Sequence, residues 1–143
     1  MSHAPLAQVG PALALCLPVI GSCIGCYIAG AASHAAMMKT DENHGKFIGM
    51  ASAASSQSIY GFILMILMYQ SVDKGNITEM AAIWVGLISG TGIMLSSIFQ
   101  GKVSATGIQA SLKQPSLYGK CFAAVGILES FSLFIFVFTL LLL

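Results

Sequence analysis

CFAAVGILESFSLFIFVFTLLLL, residues 121–143, is an apolar run of 23 residues with a single charge in it, Glu129. It is longer than the roughly 20 residues a helix needs to cross a bilayer. Lipid offers a backbone no hydrogen-bond partner, so such a run crosses as a helix and not as an open strand. Three further apolar stretches, at 6–38, 47–71 and 77–112, join it (taken from 116), and short polar connections separate them: KTDENHGK (39–46), SVDKGNIT (71–78) and LKQPS (112–116). The chain is 57% hydrophobic and 8% charged, against about 25% charged in soluble domains. An all-α membrane protein of four transmembrane helices is therefore predicted.

Charge excludes several functions. The net charge is +1 and there is no Arg, so no basic footprint for nucleic acid exists. The pairs Gly45-Lys46, Gly101-Lys102 and Gly119-Lys120 precede Phe47, Val103 and Cys121, where a nucleotide-binding loop needs Ser or Thr. If ATP drives this protein, its hydrolysis occurs on another chain. The opening MSHAPLAQVGPALALCLP lacks the basic start of a signal peptide and is retained as part of the first helix. Lys39, Lys46, Lys102, Lys113 and Lys120 gather around the first and third connections, which places these in the cytoplasm and both termini on the opposite side.

A faint repeat divides the chain into two hairpins, 1–72 and 73–143. GSCIGCYIAGAAS from Gly21 and GIMLSSIFQGKVS from Gly92 share the pattern Gly, eight residues, Gly, two residues, Ser. One residue further out of register, Gln57-Ser58 falls on Glu129-Ser130, so the first copy has an amide where the second has an acid. Nine of the 15 Gly lie in the first and third helices and ten of the 13 aromatics in the second and fourth. Slim helices approach closely through ridges such as Gly21, Gly25, Ala29, Ser33 and Gly86, Gly90. Bulky ones face lipid, an arrangement suited to a closed ring.

Depth links the polar residues. Gln57 lies 11 residues past Lys46, Gln100 lies 13 before Lys113, and Glu129 lies a similar way past Pro115. At about 1.5 Å per residue all three sit roughly 16–20 Å from the same side. Ala53, Ser56, Gln57 and Tyr60 share one face of the second helix by i, i+3, i+4, i+7 spacing. A carboxylate, two amides and a hydroxyl suit a hard cation, and one carboxylate balances a monovalent ion better than Ca²⁺ or Mg²⁺. An ionised Glu at mid-bilayer costs about 2.5–3.5 kcal/mol on insertion scales, which makes an ion or proton site the default reading.

SSQSIYGF (55–62), IFQGKVSATGIQ (98–109) and GILESF (126–131) resemble the double-hairpin proteolipid, or K subunit, of V-type and V/A-type rotary ATPases, especially the sodium-translocating bacterial members. The resemblance implies Na⁺ (or H⁺) held by Glu129, Gln57, Gln100, Ser56 and the Ala53 carbonyl, with Tyr60 bracing the carboxylate. Ser56 stands where Thr is familiar, and Ala53 where a larger aliphatic is. Further implied are a plasma-membrane location, a homo-oligomeric ring, central-stalk subunits that turn it and a stator that supplies an arginine. No covalent cofactor is expected, and no catalysis by this chain alone.

Cys23 and Cys26 form a C-x-x-C that reads as small buried residues, since no βαβ context surrounds it; Cys16 and Cys121 add no metal spacing. His34 and His44 read as solvated. Lys102 is expected to snorkel to the cytoplasmic headgroups or to face a ring lumen. One rival is a small four-helix proton-coupled multidrug antiporter, in which the acid belongs on the first helix within an aromatic cage. The other is a structural tetraspan with no use for Glu129.

Overall fold

A computed structural model describes residues 5–143, and within these every regular element is helical. The start of the N-terminal stretch read above, residues 1–4, lies outside the described residues. A 3-10 turn (Pro5–Gln8) leads into α1 (Val9–Met37); α2 (His44–Ser52), a 3-10 turn (Ala53–Ser55) and α3 (Ser56–Asp73) follow. Then come α4 (Glu79–Lys113), a 3-10 turn (Pro115–Leu117) and α5 (Tyr118–Leu140). Four spans result, Leu6–Met37, His44–Asp73, Glu79–Lys113 and Pro115–Leu140, each long and apolar enough to cross a membrane. At 35 residues, α4 is about 52 Å long, so its ends overrun a hydrocarbon core of about 30 Å.

The ends are set by local chemistry. Asn43 adopts φ 64° just before α2, a left-handed conformation that Asn tolerates better than most residues, and Gly75 takes φ 75° between α3 and α4. Thr78 caps α4 by accepting the Ala81 N–H at 3.2 Å, with Glu79 in the first turn, where a negative charge complements the helix dipole. His44 is not simply solvated: its Nε2 lies 2.7 Å from the Thr40 carbonyl oxygen. His34 is exposed.

α1 and α4 lie side by side and parallel, the most extensive helix pairing in the molecule. Their seam is built from small residues: Gly21 faces Met94, Gly25 faces Ser97 and Gly101, and Gly90 faces Leu13. A Cβ at Gly25 would stand 2.5 Å from the Ser97 carbonyl oxygen and 2.9 Å from the Ala54 Cβ, well inside contact distance. α3 lies on α1 where Gly61 meets the Ala14 carbonyl and Pro18, and α5 lies along α4. The slim helices thus pair, and the bulky ones carry Phe62, Ile66, Phe131, Phe134 and Phe138 outward, all exposed. That distribution matches the segregation of Gly and aromatics along the chain.

Two details depart from expectation, and a third adds to it. The second span is broken at Ala53–Ser55, so Ala53 sits in a 3-10 turn and not on a continuous face with Ser56, Gln57 and Tyr60. Serine hydroxyls account for the break: Ser52, Ser55 and Ser56 lie 3.1, 2.7 and 3.1 Å from the carbonyl oxygens of Gly49, Ser52 and Ala53, competing with the regular helical ladder. Cys23 is exposed and Cys26 half-buried, because the seam face of α1 is taken by Gly21, Ser22 and Gly25. Lys102 is exposed and its Nζ lies 5.3 Å from the Phe99 ring centroid. It leans one turn back along α4, away from the Lys113 end, as helical side chains do, and forms a cation–π contact.

Two apolar clusters fill the interior at different depths. One holds Ala29, Ala36, Phe47, Met50, Ile108 and Val125; the other holds Ala14, Leu64, Met68, Ala82 and Ile93. Between them, at the level of the break in the second span, lies a polar belt.

Candidate cation site

The belt is assembled from three helices of one chain. α5 presents Glu129, α3 presents Ser56, Gln57 and Tyr60 from its first two turns, and α4 presents Gln100. Four donors reach the carboxylate. Ser56 Oγ and Tyr60 OH each donate to Oε1 at 2.7 Å; Gln57 Nε2 and Gln100 Nε2 donate to Oε2 at 3.0 and 2.8 Å. Gln57 Nε2 also donates to Gln100 Oε1 at 2.6 Å, and Gln100 Nε2 reaches the Val125 carbonyl, 3.2 Å away. Tyr60 is braced by stacking on Phe136, ring centroids 5.4 Å apart.

Burial is graded across the cluster. Gln57 is fully buried and Gln100 is 1% exposed, whereas Ser56, Tyr60 and Glu129 are half-buried. The carboxylate thus lies at the outer edge of the protein, backed by amides. All the donors are neutral, and no Lys or Arg balances the carboxylate in these contacts.

The oxygen count is the informative feature. Around Ser56 Oγ stand Glu129 Oε1 at 2.7 Å, the Ala53 carbonyl at 3.1 Å and Gln57 Oε1 at 3.3 Å. A hydroxyl has one proton to give, so this group of oxygens has more lone pairs than protons to fill them. The 3-10 turn creates part of the surplus, since it leaves the Ala53 carbonyl facing a side chain. Such a place favours a small hard cation or an added proton.

Every sequence-predicted site residue, Glu129, Gln57, Gln100, Ser56, Ala53 and Tyr60, thus falls in one cluster, with Ala53 contributing only its carbonyl. Sequence reasoning passed over Ser96 and Ser97, one turn before Gln100, and Phe136 behind Tyr60. A double Ser beside an already suspected Gln was the available signal for the first two. Nothing marks Phe136 among the phenylalanines of the fourth span.

The family profile for the C subunit of ATP synthase matches residues 9–68 and again residues 83–142, once in each half of the chain. A V-type sodium ATPase subunit K from Enterococcus hirae is 29% identical over 126 residues, covering 86% of this chain and 80% of the relative. An A-type ATP synthase subunit K from Methanocaldococcus jannaschii is 32% identical over 115 residues, 79% of this chain and 52% of the relative. The chain thus spans about half the length of the archaeal relative and most of the bacterial one.

Proposed function

We propose, from the premise that this chain belongs to the ATP synthase C-subunit family, that it is the membrane rotor proteolipid of a rotary ATPase and carries Na⁺ on Glu129. One observation supports a monovalent cationic cargo: the Glu129 carboxylate, the Gln57 amide oxygen and the Ala53 carbonyl gather around the one Ser56 hydroxyl proton. The likeness to a V-type sodium ATPase subunit K turns the choice to Na⁺. Glu129, Gln57, Gln100 and Ser56 would hold the cation through side-chain oxygens and Ala53 through its carbonyl, with Tyr60 fixing the carboxylate. H⁺ is the other cargo that could neutralise the same acid.

The working cycle follows from electrostatics. Beside lipid the carboxylate must be neutralised by its cargo, because an uncompensated charge there costs several kcal/mol. Opposite a stator arginine, in contact with water, the emptied carboxylate becomes tolerable and the ion leaves. Moving one charge against 100 mV takes about 2.3 kcal/mol, which ATP hydrolysis on other subunits supplies as torque from a central stalk.

A ring of copies supplies the turning path. Each hairpin carries an open apolar groove of about 500 Å³, one lined by Pro11, Ala12, Ile66 and Tyr69 and the other by Trp84, Ile88, Phe134 and Phe138. Unlike faces meeting head to tail generate a closed ring when the rotation closes.

The test is chemical modification of the purified protein by a hydrophobic carbodiimide, with Glu129 followed by mass spectrometry. Labelling that Na⁺ suppresses is expected. Labelling indifferent to Na⁺ assigns the cargo to H⁺, and protection by lipophilic cations alone would restore the antiporter. Tyr60→Phe should keep the stack on Phe136 and lose one of the four donors to the carboxylate. A hydrogen bond to a charged group contributes about 1.5–3 kcal/mol, so the Na⁺ needed for half-protection should rise by roughly tenfold or more; an unchanged midpoint removes Tyr60 from the site.

A further inference from the structure

Three buried hydroxyls on these helices settle on their own backbone. Ser89 donates to the Val85 carbonyl at 2.6 Å, Ser111 to Gly107 at 2.7 Å and Thr139 to Ile135 at 2.6 Å, the usual i−4 acceptor for Ser and Thr in a helix. Ser96 and Ser97 do not. These adjacent residues of α4 reach off the helix toward two different neighbours. Ser96 Oγ donates to the Leu128 carbonyl of α5 at 2.8 Å. Ser97 Oγ donates to the Ala54 carbonyl in the 3-10 turn at 2.9 Å, and Ser22 of α1 stands 3.4 Å behind it.

The two carbonyls have a common property. Leu128 directly precedes Glu129, and Ala54 directly follows Ala53, whose carbonyl stands 3.1 Å from Ser56 Oγ. Both serines are shielded, Ser96 8% exposed and Ser97 fully buried, and Gly25 leaves room for the Ala54 turn to approach α4. Ser132 Oγ, whose i−4 carbonyl is also that of Leu128, is buried with no hydrogen-bond partner, as are Ser33 Oγ and Ser104 Oγ.

We infer that Ser96 and Ser97 act as a two-way clamp that fixes the gap between the second and fourth spans at the level of Glu129, and thereby sets which monovalent cation the site prefers. They are positioning residues: Ser96 acts through the backbone at Glu129, Ser97 through the turn that presents the Ala53 carbonyl. The inference rests on the reading of this site as a cation carrier. Discrimination between cations of equal charge depends on cavity size and on how rigidly the oxygens are held. Releasing either carbonyl lets the gap relax, which penalises Li⁺, the smaller ion, more than Na⁺.

The experiment uses the assembled ring, with carbodiimide labelling of Glu129 titrated separately with Na⁺ and Li⁺. Hydrogen exchange over residues 53–58 and 128–132 is followed in parallel. Ser96→Ala and Ser97→Ala should each raise the Na⁺ midpoint about tenfold, as expected when a buried carbonyl loses its donor, and the Li⁺ midpoint further. Exchange should quicken at least about threefold in the segment each serine holds. Ser96→Thr, which keeps the hydroxyl, should restore the wild-type midpoints, and Ser89→Ala should leave them within about twofold, since its hydroxyl binds only its own helix. Midpoints and exchange unchanged in both alanine variants overturn the clamp, as does an equal shift in Ser89→Ala or a wild-type Na⁺/Li⁺ ratio kept by both variants. Should Ser96→Ala fail to assemble, a tenfold shift in Ser96→Thr is equally fatal. Absence of Na⁺ protection in the wild type defeats the cation reading instead, and exchange alone then decides whether the serines hold the gap.

Discussion

Replacing Glu129 with Gln is expected to abolish cation transport by the assembled complex while leaving the four-helix fold in place. The amide has nearly the shape of the carboxyl and can still accept from Ser56 and Tyr60, which donate at 2.7 Å to Oε1 in the native protein. What it lacks is charge. Removing one partner of a buried ion pair costs about 3–5 kcal/mol, or roughly 10²–10⁴-fold in affinity, with no other acid among the donors and oxygens of the site to compensate. Ion uptake into vesicles, driven by ATP and measured beside circular dichroism of the purified variant, separates the two effects. Transport at the wild-type rate by Glu129→Gln would refute the proposed cargo site.

Gly101→Ala should be the most damaging substitution of a residue with no polar side chain. A Cβ at this position would stand 2.6 Å from the Gly25 carbonyl carbon and closer still to other Gly25 backbone atoms. Backbone cannot rotate aside as a side chain can, so α1 and α4 have to part, and Gln100, the adjacent residue, moves with them. Overpacking of this kind costs typically 1–3 kcal/mol and occasionally more, with the site misaligned as well. Gly30→Ala in α1 is the control, because nothing lies within 4 Å of its Cβ position. Thermal unfolding should show a clear drop for Gly101→Ala and none for Gly30→Ala. Equal melting temperatures would mean that the helices do not meet at Gly101.

The spans and the acid could be read directly from the sequence because each depends on a rule that a linear chain displays. A hydrocarbon core requires about 20 apolar residues in succession, and a charge within one of them stands out. Gln57, Gln100 and Tyr60 followed from depth and helical spacing, which are also linear quantities. The break at Ala53–Ser55 was hidden, since serines in a membrane helix can donate to their own ladder or interrupt it, and composition does not say which. The roles of Ser96 and Ser97 were hidden for a related reason: the carbonyl a short side chain reaches depends on how closely neighbouring helices cross. Cys23 was misplaced because α1 is apolar nearly all round, so the face turned inward is chosen by Gly21, Ser22 and Gly25 and not by polarity.

The amide at Gln57 answering the acid at Glu129 has a mechanical corollary. In the proposed rotor each chain would bring two hairpins to the circumference but only one carboxylate, Glu129, at the depth of the site. A wheel made of such chains therefore passes half as many ions per revolution as one of equal girth with an acid in every hairpin. The same torque is shared among fewer ions, a low gear that favours driving each one against a steeper electrochemical gradient.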